Sequence, residues 1–237
     1  MKKSFCLQLF LIFTILNCSK QINNNEKLPV PVTLIPASSD TSRFERGIGP
    51  IPEYDGIRLE WIPADDDDVI GYRLFRSREK DGPYSLIAGQ TELAQPDSFY
   101  IDGPLELDVR YYYYMTAVDY RGNSSYPSDT LNYMLIEKAI HLTPQGSTTE
   151  TRPVFSWEPV VIEQAYVIRL RDFSNNIIWI YKMQSTYSNR EYLAFNIDGS
   201  AADDSLTPGR QVQWRVDVIS ARDHCGSKSP WVTLVIQ

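Results

Sequence analysis

The stretch LELDVRYYYYMTAVDYRGNSSYPSD, residues 105–129, decides the fold of this chain. Within it Tyr111, Tyr113 and Met115 stand at every second position. Because successive side chains of a β-strand point to opposite faces, this period predicts a strand with one inward-facing apolar side. The Gly, Asn, Ser and Pro residues that follow are those that turns favour. The stretch therefore predicts a half-buried strand that ends in a tight turn.

Short strands of the same kind recur before and after this stretch, with almost no segment of helical period. The strand-like segments, each bounded by turn residues, are GIRLEWIP, IGYRLFRS, PYSLIAG, DSFYIDG, SDTLNYMLI, PVFSWEPV, AYVIRLRDF, NIIWIYKMQ, EYLAFNIDG, QVQWRVDVIS and PWVTLVIQ. The plan repeats once after about 95 residues. Strands at roughly 8–12-residue spacing are typical of β-sandwiches. We therefore expect an all-β chain, with one sandwich over 45–137 and a second over 138–237.

The first half resembles a fibronectin type III domain of the kind common in bacterial secreted proteins. Trp61 matches the buried tryptophan of that family's second strand, and Tyr72 and Leu74 match core positions of its third. Leu105 and Tyr111 have the spacing of the family signature L-x-P-x-T-x-Y-x-V-x-V-x-A. The resemblance implies that Tyr111 is a tyrosine-corner residue, whose hydroxyl bonds to the preceding loop while its ring packs inward.

The second half resembles the same family less closely. Trp157 takes the place of the first tryptophan, Tyr166 that of the third-strand tyrosine, and Trp214 lies within the signature spacing. Val212 stands where the corner tyrosine would be, so the resemblance implies no corner hydrogen bond there. Together the two matches cover about four-fifths of the chain.

The N-terminus, MKKSFCLQLFLIFTILNC, has the pattern of a bacterial export signal. Its apolar run is too short for a permanent membrane span, which needs roughly 20 residues. ILNC resembles the lipobox of bacterial lipoproteins, so we expect residues 1–17 to be removed and Cys18 to carry the lipid. Asn17 stands where that family usually has Gly, Ala or Ser, which leaves ordinary secretion as an alternative.

Residues 18–44 are rich in Asn, Ser and Pro and predict a flexible tether. With the signal removed and Cys18 lipidated, Cys225 would be the one remaining thiol, so packed cores rather than a disulfide would stabilise the protein. The net charge of −7 argues against nucleic acid and against polybasic contact with a membrane. We expect a lipid-anchored protein of the bacterial envelope, attached to the outer membrane if the cell is Gram-negative; a secreted or periplasmic protein is the alternative.

Catalytic chemistry has little support in the sequence. The two histidines, His141 and His224, lie in no hydrolase or metalloprotease motif. His224 adjoins Cys225, yet neighbouring side chains on a strand point to opposite faces. There is no glycine-rich phosphate loop. The sequence therefore predicts no catalytic residue, no metal site and no cofactor.

Four consecutive aspartates, Asp65–Asp68, are the most acidic feature of the chain. An EF-hand calcium loop needs Gly at its sixth position and Glu at its twelfth. Counted from Asp65, these positions hold Ile70 and Arg76. The spacing excludes that motif and leaves calcium binding by a sandwich loop open. The favoured interpretation is a solvated turn between two strands.

Aromatic residues that face outward are the better candidates for binding. The period of the tyrosine-rich strand sends Tyr112 and Tyr114 outward, and Phe75 should share their face. Trp179 and Tyr181 make a similar predicted pair in the second half. Such residues combine apolar area with polar groups and suit a sugar ring or a protein partner. The β-propensity of aromatic residues alone also accounts for them.

These patterns predict a non-catalytic, lipid-anchored envelope protein that binds or scaffolds a protein partner through its sandwiches. Two alternatives stay open from the sequence. In the first alternative, the chain is an accessory carbohydrate-binding module that uses the exposed aromatics. In the second, it is a structural spacer.

Overall fold

The computed structural model describes residues 28–159 and 164–237, and over these the protein is all-β. The strands of the first half are β1 (Thr33–Leu34), β2 (Gly49–Pro50), β3 (Ile57–Ile62), β4 (Val69–Ser77), β5 (Ser85–Ala88), β6 (Phe99–Asp102), β7 (Arg110–Asp119) and β8 (Leu131–Leu135). The strands of the second half are β9 (Ile140–Thr143), β10 (Gly146–Thr148), β11 (Val154–Glu158), β12 (Ala165–Asp172), β13 (Ile177–Gln184), β14 (Glu191–Ala194), β15 (Gln211–Ile219), β16 (Cys225–Lys228) and β17 (Val232–Ile236). The signal peptide predicted over 1–17 and the lipidation predicted at Cys18 fall outside the described residues. A search of the described part for a helix able to cross a membrane finds none.

The first half is a sandwich of two antiparallel sheets. In one sheet β3 pairs with β1, β2 and β6, and the other has the order β5-β4-β7-β8. Side chains from alternate positions of both sheets fill the space between them, as the period of two requires. Trp61, Tyr72, Leu74, Tyr113 and Met115 are all buried in this core. The β-sandwich fold predicted for the first half is confirmed.

The second half repeats this arrangement. Here β11 pairs with β9 and β14 in one sheet, and β12 lies between β13 and β15 in the other. The last strand of the sandwich is divided into β16 and β17, which both pair with β15, and β10 runs parallel to β17. Trp157, Tyr166, Val212 and Trp214 lie in its core. The second predicted sandwich is confirmed as well.

Each core contains the same aromatic pair in the same geometry. Trp61 meets Tyr72 edge to face, with ring centroids 5.5 Å apart, and Trp157 meets Tyr166 in the same way at 5.4 Å. Edge-to-face contact is a favoured arrangement because the positive ring edge meets the negative ring face. The internal repeat seen in the sequence therefore extends to side-chain packing.

The tyrosine corner is present in the first sandwich only. The Glu106 N–H donates to the Tyr111 hydroxyl at 3.3 Å, and the Tyr111 side chain is buried. Val212, at the corresponding position of the second sandwich, is buried and has no hydroxyl to offer. The sequence predicted a tyrosine corner in the first half and none in the second, and the structure agrees with both predictions.

The flexible tether predicted over 18–44 is wrong for its described part, residues 28–44. Val32 and Leu34 are buried in the first core, and β1 pairs with β3. The sequence VPVTLIP does alternate apolar residues, but its prolines hide the pattern. Because β1 is an edge strand, prolines beside it remove no ladder hydrogen bond, so the chain tolerates them.

The chain between β1 and β2, residues 35–48, lies against the outer face of the second sandwich, and we call it the β1–β2 segment. The Arg169 guanidinium on β12 donates to the carbonyl of Ser42 at 2.7 Å and to the carbonyl of Asp40. The Lys182 ammonium on β13 lies 2.6 Å from the Asp40 carboxylate. Part of the predicted tether is therefore bound to the second sandwich.

Glu45 is the centre of an ion cluster between this segment and the second sandwich. Its carboxylate lies 2.7 Å from Arg215, 2.9 Å from Lys228 and 3.5 Å from Arg169. Burial opposes ionisation of Glu45, but the three cations outweigh it and lower the pKa of Glu45 to about 2. Asp217 pairs with Arg169 and Arg215 from the other side, at 2.9 and 2.7 Å.

Backbone pairing also joins the two sandwiches. Strands β8 and β16 run parallel, so one sheet continues from the first half into the second. A Cβ at Gly226 would lie 2.6 Å from the Val218 carbonyl oxygen, which explains the glycine at this close approach. The Ser227 hydroxyl donates to the Glu137 carbonyl at 2.8 Å.

Candidate functional site

The outer face of the β5-β4-β7-β8 sheet carries a group of apolar side chains. Phe75 on β4 lies directly opposite Tyr114 on β7, and their rings stack with centroids 4.7 Å apart. The Tyr84 ring meets Tyr114 at 4.9 Å, and Leu86 on β5 lies opposite Phe75 and is 53% exposed. Tyr112 lies two positions before Tyr114 on the same face. We call these five residues the aromatic patch.

Polar side chains border the patch at both ends of the sheet. Arg73 donates to Gln90 at 3.0 Å and to Ser124 at 2.9 Å. At the other end Arg110 donates to Asn132 at 2.5 Å and to the Asp223 carbonyl at 2.9 Å. The patch is therefore an apolar surface with hydrogen-bonded arginines at its borders, which is the general composition of a protein-binding surface.

The geometry of the rings restricts what they can contact. Because Phe75 and Tyr114 stack on each other, one face of each ring is covered. Burial, and after it the neighbouring Tyr84, raises the pKa of Tyr114, so its hydroxyl stays a neutral hydrogen-bonding group. The pair offers ring edges, one hydroxyl and apolar area to a partner.

The sequence identified three of the five patch residues. Phe75, Tyr112 and Tyr114 share one outer face, as the period of two predicted. Tyr84 and Leu86 were missed, although they stand two residues apart in PYSLIAG. The alternation of Tyr84 and Leu86 could have indicated a strand with both side chains on one face. It covers only one repeat of the period and directly follows Pro83, so the signal is weak.

The second predicted aromatic pair is not exposed. Trp179 is 1% exposed, its indole N–H donates to Asp198 at 2.9 Å, and Tyr181 stacks against it at 5.6 Å. In the register of β12 with β13, Trp179 lies opposite Leu170 and Tyr181 opposite Ile168, both of which face the core. The expectation that Trp179 and Tyr181 form a binding surface is therefore wrong.

The remaining predicted structural residues lie where the resemblance implied. Trp61, Tyr72, Tyr111, Trp157 and Trp214 are all buried, and the Trp214 indole N–H donates to the Pro144 carbonyl at 2.9 Å. They stabilise the two cores and reach no surface that a partner could touch.

The aspartate run forms the turn between β3 and β4. The Asp66 carboxylate accepts the Asp68 N–H at 3.1 Å, and the Val69 N–H donates to the Asp66 carbonyl at 3.0 Å. Within residues 28–159 and 164–237, no group of three or more His, Cys, Asp or Glu side chains is placed to hold a metal ion. The turn interpretation agrees with these contacts.

The two histidines lie apart from the patch. His141 Nδ1 lies 2.7 Å from Glu158, which also pairs with Arg190 at 2.6 Å. His224 is exposed in the turn before β16, whereas the adjacent Cys225 is buried. Neither histidine contacts a side chain of the aromatic patch.

Comparisons with known proteins find similarity among solved structures only. No family model matches the chain, and a search of curated proteins gives no match. The chicken CNTN1 FN1-FN3 domains align over 88% of this chain and 69% of their own, at 11% identity and a TM-score of 0.38. An Fn3-like protein from Clostridium thermocellum aligns over 48% of this chain and 100% of its own, at 22% identity and a TM-score of 0.35.

A β-1,2-glucanase from Parabacteroides distasonis aligns over 47% of this chain and 14% of its own, at 24% identity and a TM-score of 0.35. Identities and scores this low carry no argument about activity. Strand order and core define the class of protein instead. The chain is an all-β protein with two fibronectin type III-like sandwiches, and its solved structural neighbours include fibronectin type III proteins.

Proposed function

We propose that this chain is a non-catalytic, lipid-anchored protein of the bacterial cell envelope that binds a protein partner through the aromatic patch. The observation that carries the proposal is the grouping of Phe75, Tyr84, Leu86, Tyr112 and Tyr114 on one outer sheet face, where the four rings are partly exposed and Leu86 is exposed. Tyrosine and phenylalanine are enriched in the centres of protein interfaces, where they add large apolar area at a small entropic cost.

The ring geometry favours a protein over a sugar. A pyranose ring stacks on a broad, open aromatic face, and the mutual stacking of Phe75 and Tyr114 covers one face of each. Trp179, which would have been the largest stacking surface, is buried. Side chains of a protein can pack against ring edges and between them, so the patch suits a protein partner better.

The lipid anchor proposed at Cys18 would keep the sandwiches near the membrane. Among the described residues, the hydrophobic core of the first sandwich begins at Val32, fourteen positions after Cys18. That length of chain spans at most about 50 Å when fully extended. The partner would therefore be a membrane protein or a protein held close to the membrane.

Capture of the partner from envelope fractions tests the binding proposal. The mature protein carrying Tyr112→Ala and Tyr114→Ala is compared with a control carrying Tyr187→Ala and Tyr192→Ala, which are exposed on the second sandwich. We expect the wild type and the control to retain one shared envelope protein and the patch variant to lose it. Equal capture by all three, or glycan-array binding that the patch variant alone loses, would refute the choice of a protein partner.

The anchor has a separate test. Cys18→Ser removes the proposed lipid attachment site without touching either sandwich. We expect the variant to leave the membrane fraction and become soluble after cell lysis. Unchanged membrane fractionation would show that the chain is held there by something other than a lipid on Cys18.

A further inference from the structure

The outer face of the second sandwich is rich in cations, and most of them have an anionic partner. Arg169 and Arg215 pair with Asp217, and Lys182 pairs with Asp40. These contacts place the positive charges of β12, β13 and β15 next to carboxylates of the same chain. They need nothing further to neutralise them.

Arg171 on β12 differs from these residues. Its Nε and Nη2 atoms donate to the same amide oxygen of Gln213, at 3.1 and 2.9 Å, and its guanidinium lies 3.8 Å from the centroid of the Trp231 ring. Among residues 28–159 and 164–237, no carboxylate lies within 4.0 Å of it. Arg171 is thus held in place by neutral groups and lacks a close counter-ion.

The surroundings of Arg171 make the missing counter-ion costly. Burial, and after it the charge of Arg215, lowers the pKa of Arg171, while the weaker effects of Glu53 and Glu45 act in the opposite direction. Arg215 lies on the same ring, 4.5 Å from the Trp231 centroid. A half-buried guanidinium with a cationic neighbour gains more from an added anion than an exposed one does.

We propose that Arg171, oriented by Gln213 and Trp231, binds a carboxylate of an acidic segment of a protein partner. Gln213 takes the Nε and Nη2 edge of the guanidinium and fixes its orientation. The other edge, formed by Nη1 and Nη2, keeps two N–H groups that match the two oxygens of a carboxylate. Phe173, which is 55% exposed and two positions further along, would give apolar contact beside the carboxylate. The assignment of the acidic segment to a protein partner rests on the proposed function. The anion-binding site at Arg171 does not depend on that function.

A titration of the full mature protein with a hexaglutamate peptide tests the site, with a hexaglutamine peptide as the neutral control. Binding is followed through the NMR signal of the Trp231 indole N–H. We expect saturable binding that weakens with added salt and is absent for hexaglutamine. Arg171→Gln should weaken it about tenfold, and Arg171→Lys, which keeps the charge without the fork, should weaken it by less.

Two further variants separate a specific site from general attraction. Arg78→Gln removes a charge from the first sandwich, where Arg78 pairs with Glu106, and should leave binding unchanged. Glu53→Gln removes the carboxylate that has the largest opposing effect on the pKa of Arg171, and it should strengthen binding. Equal weakening by Arg78→Gln and Arg171→Gln would overturn the proposal.

The result of the hexaglutamate titration does not depend on the aromatic patch. The Tyr112→Ala and Tyr114→Ala variant should bind hexaglutamate as the wild type does, whether or not the patch binds a protein. If a sulfated oligosaccharide binds at Trp231 more tightly than hexaglutamate, the assignment to an acidic protein segment is wrong. Thermal denaturation of Arg171→Gln near the wild-type temperature shows that a loss of binding is not a loss of fold.

Discussion

The outer faces of the two equivalent sheets differ in chemistry and in what covers them. On the first sandwich, the half-buried rings of Phe75 and Tyr114 stack on each other. On the second, Arg169 and Arg215 occupy neighbouring strands at the centre of the sheet and are almost completely buried by the β1–β2 segment. The same fold therefore gives one partly exposed aromatic face and one ionic face that joins the β1–β2 segment to the second sandwich. The two cores share the same Trp–Tyr pair and differ at the tyrosine corner, whereas the outer faces differ in their whole chemistry.

This difference follows from what each side chain needs. A buried arginine is stable only when carboxylates and carbonyl oxygens surround it, and the β1–β2 segment supplies Glu45 and the carbonyls of Asp40 and Ser42. Tyrosine and phenylalanine tolerate partial exposure and need no such partner. The same sandwich fold therefore accommodates an ionic face that is covered by another segment and an aromatic face that is partly exposed.

If the two cores are equivalent, matched substitutions at their centres should cost the same. Trp61→Ala and Trp157→Ala each remove a buried ring that meets a tyrosine edge to face. We expect each to lower the free energy of unfolding by about 3–5 kcal/mol, measured by urea denaturation. A loss in one variant that is several times the other would show that one sandwich depends on its neighbour for stability.

Removing the central anion of the covered face should have the next largest effect. Glu45→Gln leaves Arg215, Arg169 and Lys228 without their shared carboxylate, and we expect a loss of about 2 kcal/mol. Asp203→Asn, which breaks an exposed pair with Arg210, is the control and should cost under about 1 kcal/mol. Small-angle X-ray scattering should also show a wider range of interdomain distances for Glu45→Gln alone.

The same carboxylate predicts a dependence on pH. The folded pKa of Glu45 is about 2, below the value of 4.5 for an unperturbed glutamate. Its contribution is therefore complete above pH 4.5 and is lost as the pH falls toward 2. The stability difference between wild type and Glu45→Gln should be constant at neutral pH and shrink in that acidic range. A difference that stays constant down to pH 2 would contradict the lowered pKa.

The open face should show the smallest effect on stability. Tyr112→Ala with Tyr114→Ala removes two half-buried rings and the stacking on Phe75, for which we expect a loss of about 1 kcal/mol. Binding of the partner should nevertheless be lost. If thermal denaturation instead shows a loss as large as that of Trp61→Ala, the two tyrosines belong to the core and are not a binding surface.

Most of the fold could be predicted because strands of period two carry their own signal. The inward residues Trp61, Tyr72 and Tyr111 follow from alternation and from the family resemblance. Strand β1 and the β1–β2 segment could not be predicted. Prolines hide the alternation around Val32, and the contacts of the segment are made with residues more than a hundred positions away. Composition alone made it look like a tether.

The candidate site was predicted in part for a related reason. Period two fixes which residues of one strand share a face, so Tyr112 and Tyr114 were placed correctly. The period does not show which of the two faces of a strand points away from the core. That depends on pairing, and the register of β13 with β12 turns Trp179 inward. Nothing in the sequence singles out Arg171. What sets it apart is that no carboxylate of the described residues lies close to it in space, and a sequence pattern does not show this.

Photo-crosslinking in intact cells tests the central claim most directly, that the open aromatic face of the first sandwich is the binding surface. A benzophenone amino acid replaces Tyr112 in one variant and the exposed Tyr192 of the second sandwich in another. The account predicts one defined crosslinked protein partner from position 112 and none from position 192. The same partner from both positions, or from position 192 alone, would contradict it.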